Sequence, residues 1–322
     1  MSNSLAGLYY EGDHYPVNDG ETVLDALLRQ GVDARYSCRS GLCQVCVLQC
    51  PEGEIPASAQ QGLSPVQQAQ NYFMACRCAP LGSMKILPVG ADALSCNAEV
   101  IAKEWLRKDI LQLKLAAEID WRAGQYLTLW KDDQVGRSYS IASLPEDGYL
   151  ECHIKVLEDG AFSAWASGTL TPGSNMRVQG PMGLCFYTDT SGGSQPLLLC
   201  AIGTGLAPIL GVVRDALNQG HKGPVDLVLG ARTSEDFYGV DVLNTMAESH
   251  ENLTVHWVSQ DDSQALAKGN VYHYVEAKFG GLQGYGVYLC GAENFVRKMK
   301  KQCFLQGAGM SNIHADSFIS GR

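Results

Sequence analysis

A chain of three domains is predicted: an α+β unit, then a small antiparallel β-barrel, then an α/β unit with a mainly parallel sheet. Three features carry the prediction. Six of the twelve cysteines crowd into the first ninety residues. Beyond them, short apolar-alternating stretches follow one another between turns. From Pro196 onward strand and helix patterns alternate, the rhythm of a parallel sheet covered by helices. The expected extents are residues 1–92, 95–190 and 195–322, within the usual range of about 100 to 200 residues per domain.

In the first unit, Leu8–Val17 reads as a short hairpin around Glu11-Gly12-Asp13. Glu21–Gln30 reads as a helix with Val23, Leu24, Leu27 and Leu28 on one face and Gly31 as its stop. An irregular cysteine-bearing loop follows. After Pro88–Asp92 the texture changes to strands: Ile110–Leu115 alternates around Gln112 and Lys114, Gln125–Trp130 is β-rich, and Tyr149–Leu157 resumes after the turn Pro145–Gly148. The last unit reads as strand Leu197–Ile202, helix Ala207–Asn218, strands Val225–Leu229, Leu253–Val258 and Val287–Cys290, helix Asn294–Gln306 and strand Ile313–Ala315.

Hydrophobic residues make up 46% and charged residues 18% of the chain, enough apolar material for several cores and no sign of a disordered or fibrous architecture. The net charge is −10, and no segment carries the basic footprint that nucleic-acid phosphates require. The start, MSNSLAGLYY, lacks the basic and apolar regions of an export signal. Thr190–Val213 is uncharged but broken by Gly-Gly, Gly-Thr-Gly and Pro208, so its apolar part falls short of the roughly 20 residues of a membrane span. No nucleic acid, no membrane and a cytoplasmic location are expected.

Cysteine spacing carries the chemistry. Cys38-x4-Cys43-x2-Cys46 is the plant-type spacing of a [2Fe-2S] cluster, in which one tight loop wraps the cluster and a remote cysteine closes it. Cys76, after a gap of 29 residues, supplies the fourth thiolate, with Cys78 as its rival. Ser40 and Gly41 are small enough to let backbone amides turn toward the sulfurs. A zinc site or a redox-active Cys43/Cys46 pair would use some of these residues, but neither accounts for Cys38 at its four-residue offset. Cys50 and Cys78 are left as buried thiols. The histidines form no spaced pair for a further metal.

Two further segments have the composition of nucleotide sites. Arg137-Ser138-Tyr139-Ser140 offers a guanidinium for phosphate, an aromatic face for an isoalloxazine and a hydroxyl for a ring nitrogen; a surface cation beside barrel core would have the same residues. Gly160-Ala161-Phe162-Ser163 opens an expected helix, whose amides suit a pyrophosphate. Gly203-Thr204-Gly205-Leu206-Ala207-Pro208 follows an apolar strand and precedes a helix, the place for a dinucleotide phosphate, although the third glycine of the G-x-G-x-x-G fingerprint is absent.

YSCRSGLCQVC followed by FMAC resembles the plant-type ferredoxins over residues 5–90, which implies a β-grasp [2Fe-2S] ferredoxin domain. RSYS, GAFS, GTGLAP, LGARTSED and YLCG, in that order over 95–322, resemble the ferredoxin–NADP reductase superfamily. That implies an antiparallel β-barrel FAD-binding domain and a parallel α/β NAD-binding domain. The whole resembles the reductase components of bacterial multicomponent oxygenases.

The resemblance implies roles residue by residue. Arg137 contacts the flavin phosphates, Tyr139 packs on the flavin, and Ser140 approaches N5 beside Ser138. His153, Ile154 and Lys155 form the strand along the FAD, with Gly160 and Ser163 at its pyrophosphate. Gly203, Thr204, Gly205 and Pro208 form the nicotinamide-nucleotide loop, and Cys290 and Gly291 the turn beside the nicotinamide. The closing strand brings Asp316 and Phe318 to the flavin, with Asp316 standing where relatives often have Glu. Ser140, Cys290 and Asp316 are thus the catalytic candidates. Arg232 would face the adenosine ribose, and because Glu235 and Asp236 beside it would repel a 2′-phosphate, NADH is the expected donor.

The parts together imply an oxidoreductase passing electrons from NADH through FAD and the [2Fe-2S] cluster to an oxygenase (hydroxylase) component or its ferredoxin. An acceptor is expected to dock around Arg39–Leu42. The alternatives are the same electron chain serving a deoxysugar-forming dehydratase, an iron–sulfur redox sensor, and a free flavin reductase.

Overall fold

The computed structural model describes residues 7–89, 95–188, 191–260 and 267–318; the expected junctions near residues 92 and 190 lie outside these. The N-terminal unit opens with the expected hairpin of β1 (Gly7–Tyr10) and β2 (Asp13–Pro16). Helix α1 (Val23–Arg29) starts where the Thr22 hydroxyl accepts a hydrogen bond from the Asp25 amide at 3.2 Å. Its face of Val23, Leu24, Ala26 and Leu27 is buried. The cysteine loop then leads into β3 (Val47–Glu52), short helices α2 (Ala57–Gln60) and α3 (Pro65–Ala69), and strands β4 (Tyr72–Met74) and β5 (Met84–Pro88). The sheet order β2-β1-β5-β3-β4, with β1 parallel to β5, makes a mixed sheet. Helix α1 shares one apolar core with it, the β-grasp arrangement.

The middle unit contains β6 (Cys96–Arg107), β7 (Ile110–Ala117), β8 (Tyr126–Trp130), β9 (Gly136–Ser140), β10 (Leu150–Lys155), helix α4 (Ser163–Gly168) and β11 (Asn175–Met182). All pairings in the order β10-β7-β6-β11-β8-β9 are antiparallel. An antiparallel bridge between Ile141 and Cys152 joins the two ends of the sheet and closes the barrel. The period-2 pattern holds: Leu111, Leu113 and Leu115 are fully buried, while Gln112 and Lys114 reach the surface. The expected helix at Gly160 begins only at Ser163 and lasts six residues, because Leu157–Gly160 is taken up by a tight turn closed by the Gly160 amide on Leu157 O at 3.0 Å. The Gly160 carbonyl in turn accepts from the Ala164 amide at 2.9 Å, so this turn leads straight into α4.

The third unit contains β12 (Leu197–Ile202), α5 (Leu206–Asn218), β13 (Val225–Ala231), α6 (Val240–Ser249), β14 (Leu253–Ser259), β15 (Ala267–Lys268), α7 (Val271–Phe279), β16 (Gly286–Ala292), α8 (Glu293–Leu305) and β17 (Ile313–Phe318). The sheet is parallel throughout, in the order β15-β14-β13-β12-β16-β17. The chain runs outward from β12 to β15 and then returns to the other side of β12. Strands β12 and β16 therefore flank a topological switch point, where α/β sheets bind ligands beyond their carboxyl ends.

The barrel and the α/β unit are tied together. Ile110 of the barrel belongs to the same apolar cluster as Leu206, Ile209 and Val213 of α5. Arg214 clasps Asp147 through two hydrogen bonds of 2.9 and 2.8 Å, and Arg107 reaches Asp236 at 3.1 Å. Among the described residues, no helix is long and apolar enough to cross a membrane.

Candidate functional site

The loop from Cys38 to Cys46 turns its backbone inward. The amides of Ser40 and Cys43 each donate to Cys38 Sγ at 3.4 Å, and the Cys38 amide donates to Cys43 Sγ at 3.5 Å. The Cys43 thiol also donates to Cys38, and with the inward amides it outweighs burial, holding the Cys38 thiol down at about 4. Cys46 and Cys76 form a second hydrogen-bonded pair, with the proton on Cys46, whose thiol is pushed up by that bond and by burial. Gly41 adopts φ +80, and a Cβ there would meet Arg77 Cγ at 2.7 Å, so only glycine fits this turn without displacing Arg77.

The thiols are thus grouped two and two. Among the described residues, no set of three or more His, Cys, Asp or Glu is placed to hold a single metal ion, whereas two pairs of thiolates suit a cluster of two irons. Cys78 does not compete: it is fully buried, its sulfur 3.9 Å from Met84 Sδ. Cys50 is likewise buried, its thiol donating to Glu52 O at 3.3 Å.

Beside this loop lies a cleft of about 780 Å³ walled by all three units. Of the residues expected at the flavin, Arg137, Ser138, Tyr139, Ser140, His153, Lys155, Gly160, Ser163, Asp316 and Phe318 line it. Cys38 and Cys43 line it from the cluster side, and Gly203 and Thr204 from the nucleotide loop. Tyr139 packs on Phe162, ring centroids 5.3 Å apart. The Arg137 guanidinium donates to Gly136 O at 2.8 Å and, among the described residues, forms no ion pair, leaving its charge for an anion. A flat aromatic wall and a free cation on one roomy cleft fit a flavin nucleotide.

Ser140 Oγ donates to Asp316 Oδ2 at 2.9 Å. Burial pushes the Asp316 carboxyl up to about 6, against the pull of that hydrogen bond. His153 is fixed on both ring nitrogens, by Glu151 Oε1 at 2.8 Å and by the Tyr238 hydroxyl of the α/β unit at 3.0 Å.

Six of the residues expected at the flavin and the nicotinamide nucleotide do not reach the cleft wall. Ile154 points into the barrel core, fully buried, because it alternates with His153 and Lys155 along β10. Gly205 and Pro208 are buried under the start of α5. The Cys290 thiol, fully buried, faces Cys185 Sγ at 3.5 Å rather than the cleft, and burial raises it well above the ordinary thiol range. Gly291 packs on Ile202, so the wall at this turn is Ala292. Arg232 is exposed beyond the end of β13, away from the cleft.

The acidic surroundings of Arg232 also differ from expectation. Asp236 is spent on Arg107 and on the Thr233 amide at 3.1 Å, leaving exposed Glu235 as the carboxylate free to repel a phosphate. Tyr126, Leu42 and Phe162 line the cleft as well. Their sequence signal was slight, since aromatic and apolar residues in such stretches read as core.

Three family models divide the chain: a 2Fe-2S iron–sulfur cluster binding domain over residues 9–81, an oxidoreductase FAD-binding domain over 97–187 and an oxidoreductase NAD-binding domain over 198–301. The reductase component of the naphthalene 1,2-dioxygenase system of Pseudomonas putida, a ferredoxin–NAD(P)+ reductase, is 31% identical over 95% of this chain and 96% of its own length. The CDP-6-deoxy-L-threo-D-glycero-4-hexulose-3-dehydrase reductase of Yersinia pestis is 29% identical over 95% of each. Among solved structures, the Amycolatopsis cytochrome P450 reductase GcoB superposes with a TM-score of 0.68 at 26% identity, covering 97% of this chain and 98% of that one. Matched by such relatives along nearly its whole length, and divided into iron–sulfur, FAD-binding and NAD-binding domains, the chain belongs to the ferredoxin–NAD(P)+ reductase components of multicomponent oxygenases, a family of electron-transferring oxidoreductases.

Proposed function

We propose that this protein takes electrons from NADH and delivers them, through FAD and a [2Fe-2S] cluster, to an oxygenase component or its ferredoxin. One observation carries the reading: a single cleft is walled by cluster-loop cysteines, the Arg137–Ser140 strand and the Gly203–Thr204 loop. When bound, NADH supplies a hydride, the flavin accepts its two electrons and releases them singly, and the cluster carries one at a time.

The chain's residues divide the remaining work. Cys38, Cys43, Cys46 and Cys76 would hold the cluster. Arg137 would meet the flavin phosphates as an unpaired cation, Tyr139 and Phe162 would cover the flavin, and the turn amides around Gly160 and Ser163 would receive its pyrophosphate. Gly203 and Thr204 would meet the nicotinamide nucleotide at the switch point, with Gly205 and Pro208 shaping the loop from beneath. Asp316, oriented by Ser140, would hold or release a proton at the cleft wall. Glu235 beside Arg232 supports NADH over NADPH. None of the twelve cysteines is joined in a disulfide, which agrees with a reducing cytoplasm, and we place the protein there.

The acceptor is read from the dioxygenase relatives. The dehydrase-reductase likeness, at 29% identity and equal coverage, supports a second reading with the same electron path and a deoxysugar-forming dehydratase as acceptor. Anaerobic purification followed by iron, sulfide and flavin assays and NADH titration tests the common path. Equal flavin and cluster content, with both absorptions bleached by NADH, is expected; a cluster that NADH leaves oxidised defeats it.

A further inference from the structure

Strand β8 is buried on both faces, although it belongs to a barrel with only one interior. Leu127 and Leu129, fully buried, fill that interior. Tyr126, Thr128 and Trp130 alternate onto the outer face, and what covers them is the cysteine loop of the ferredoxin unit. The Tyr126 hydroxyl donates to Leu42 O and the Thr128 hydroxyl to Cys43 O, both at 2.8 Å. Trp130 forms an apolar cluster with Cys43 and Val45, and its ring lies 5.7 Å beneath the Arg35 guanidinium.

We propose that this outer face of β8 is a positioning strip, with Thr128 as its pin, that fixes the cysteine loop against the flavin cleft and so sets the rate at which electrons cross to the cluster. The proposal rests on the electron path above: two electrons from each NADH, each crossing singly to reduce one ferric ion of the cluster. Tunnelling falls steeply with distance, so the loop's placement matters more than its binding strength. Thr128 also lies 3.3 Å from Ser138 Oγ, its cross-strand partner on the cleft wall. With the Thr128 proton committed to Cys43 O, Ser138 donates in turn. A hydrogen-bonded line therefore runs from the cleft wall to the backbone of a cluster-loop cysteine.

Thr128→Val keeps the shape and β-branching while deleting the donor, and Thr128→Ser keeps the donor. Stopped-flow mixing with NADH, followed at a flavin and a cluster wavelength, separates flavin reduction from the transfer that follows. Thr128→Val is expected to slow the second phase by about tenfold or more, as misplacement of reacting groups does, with the first phase and the cluster midpoint potential unchanged. Thr128→Ser is expected to transfer as the wild type does. Amide exchange across residues 38–46 is expected to rise in the Val variant alone. Equal second-phase rates in all three proteins, or equal slowing of both phases, overturns the proposal. Should Thr128→Val lose its cluster, Trp130→Leu takes its place: a slowed second phase supports the strip and a wild-type rate overturns it. Wild-type protein whose cluster NADH cannot reduce would instead defeat the electron path itself.

Discussion

Ser140 and Asp316 are 176 residues apart in the chain and 2.9 Å apart in the fold, and the pair shows what burial does to one carboxyl. Its value rises from 3.8 to about 6 because protein replaces water around it. A carboxyl raised in the folded state makes folding pay for its ionisation. That penalty is absent below about pH 4, grows between about 4 and 6, and is complete above about 6. Asp316→Asn removes it, while the amide oxygen still accepts from Ser140. The variant should be more stable than the wild type at pH 7.5 by about 2 kcal/mol, discounted for partial exposure to the cleft, with the difference vanishing near pH 4. Urea denaturation at the two pH values measures this; an equal difference at both would remove the assigned titration. The same residue, if it handles a proton at the cleft, should give NADH-dependent flavin reduction a limb near pH 6 that the Asn variant lacks.

At the scale of elements, the loop between β12 and α5 shows why one glycine of a motif binds and another builds. Gly203 faces the cleft with open space around it, whereas a Cβ on Gly205 would stand 2.2 Å from Cys290 O. Gly205 is the point where the β12–α5 turn touches β16. Gly205→Ala should cost about 2 kcal/mol through the forced backbone shift and loosen nucleotide binding, whereas an alanine as harmless as on an open surface would contradict the close approach; thermal unfolding and NADH affinity report both. The motif was legible in sequence as a strand-to-helix turn, but the division of labour within it was not, because it depends on β16, more than eighty residues away. The central strands of the α/β unit were readable because they are continuous apolar runs, and Leu197–Ile202 stands as expected. Helix α6 gave little signal, since Leu243 alone of its residues is buried. The sequence read β8 only as a β-rich stretch, because Tyr126, Thr128 and Trp130 have strand character whatever covers them. Spacing placed three cysteines in one loop and put Cys76 ahead of Cys78 as the fourth, but that Cys76 faces Cys46 while Cys78 packs on Met84 depends on the turn after β4.

At the scale of the whole molecule, the cysteine loop has two sides with different fates. Leu42 and Cys43 are turned onto the barrel by Tyr126 and Thr128, and Gln44 is buried, its amide donating to Gly62 O at 3.1 Å. Of the face around Arg39–Leu42 that the sequence suggested, the Leu42 and Cys43 carbonyls are thus turned to the barrel, while the side chains of Arg39 and Leu42 remain exposed. On the Arg39 side the guanidinium pairs with Asp25 and lies over Tyr36, so little free positive charge remains there. Around it the first ninety residues hold five basic against eight acidic side chains, within a chain of net charge −10. Four thiolates on two ferric ions and two sulfides would leave the cluster anionic as well. A field of this sign speeds encounter with a basic acceptor and slows encounter with an anionic one, and salt erases both effects as the Debye length shrinks from about 30 Å at 0.01 M to about 3 Å at 1 M. With NADH saturating, reduction of cytochrome c, a basic protein, should fall by roughly tenfold across that range. Reduction of ferricyanide, a small anion, should rise or stay level. A parallel fall for both acceptors would place the salt effect inside the protein, between its own domains, instead of at the exposed edge of the cluster loop.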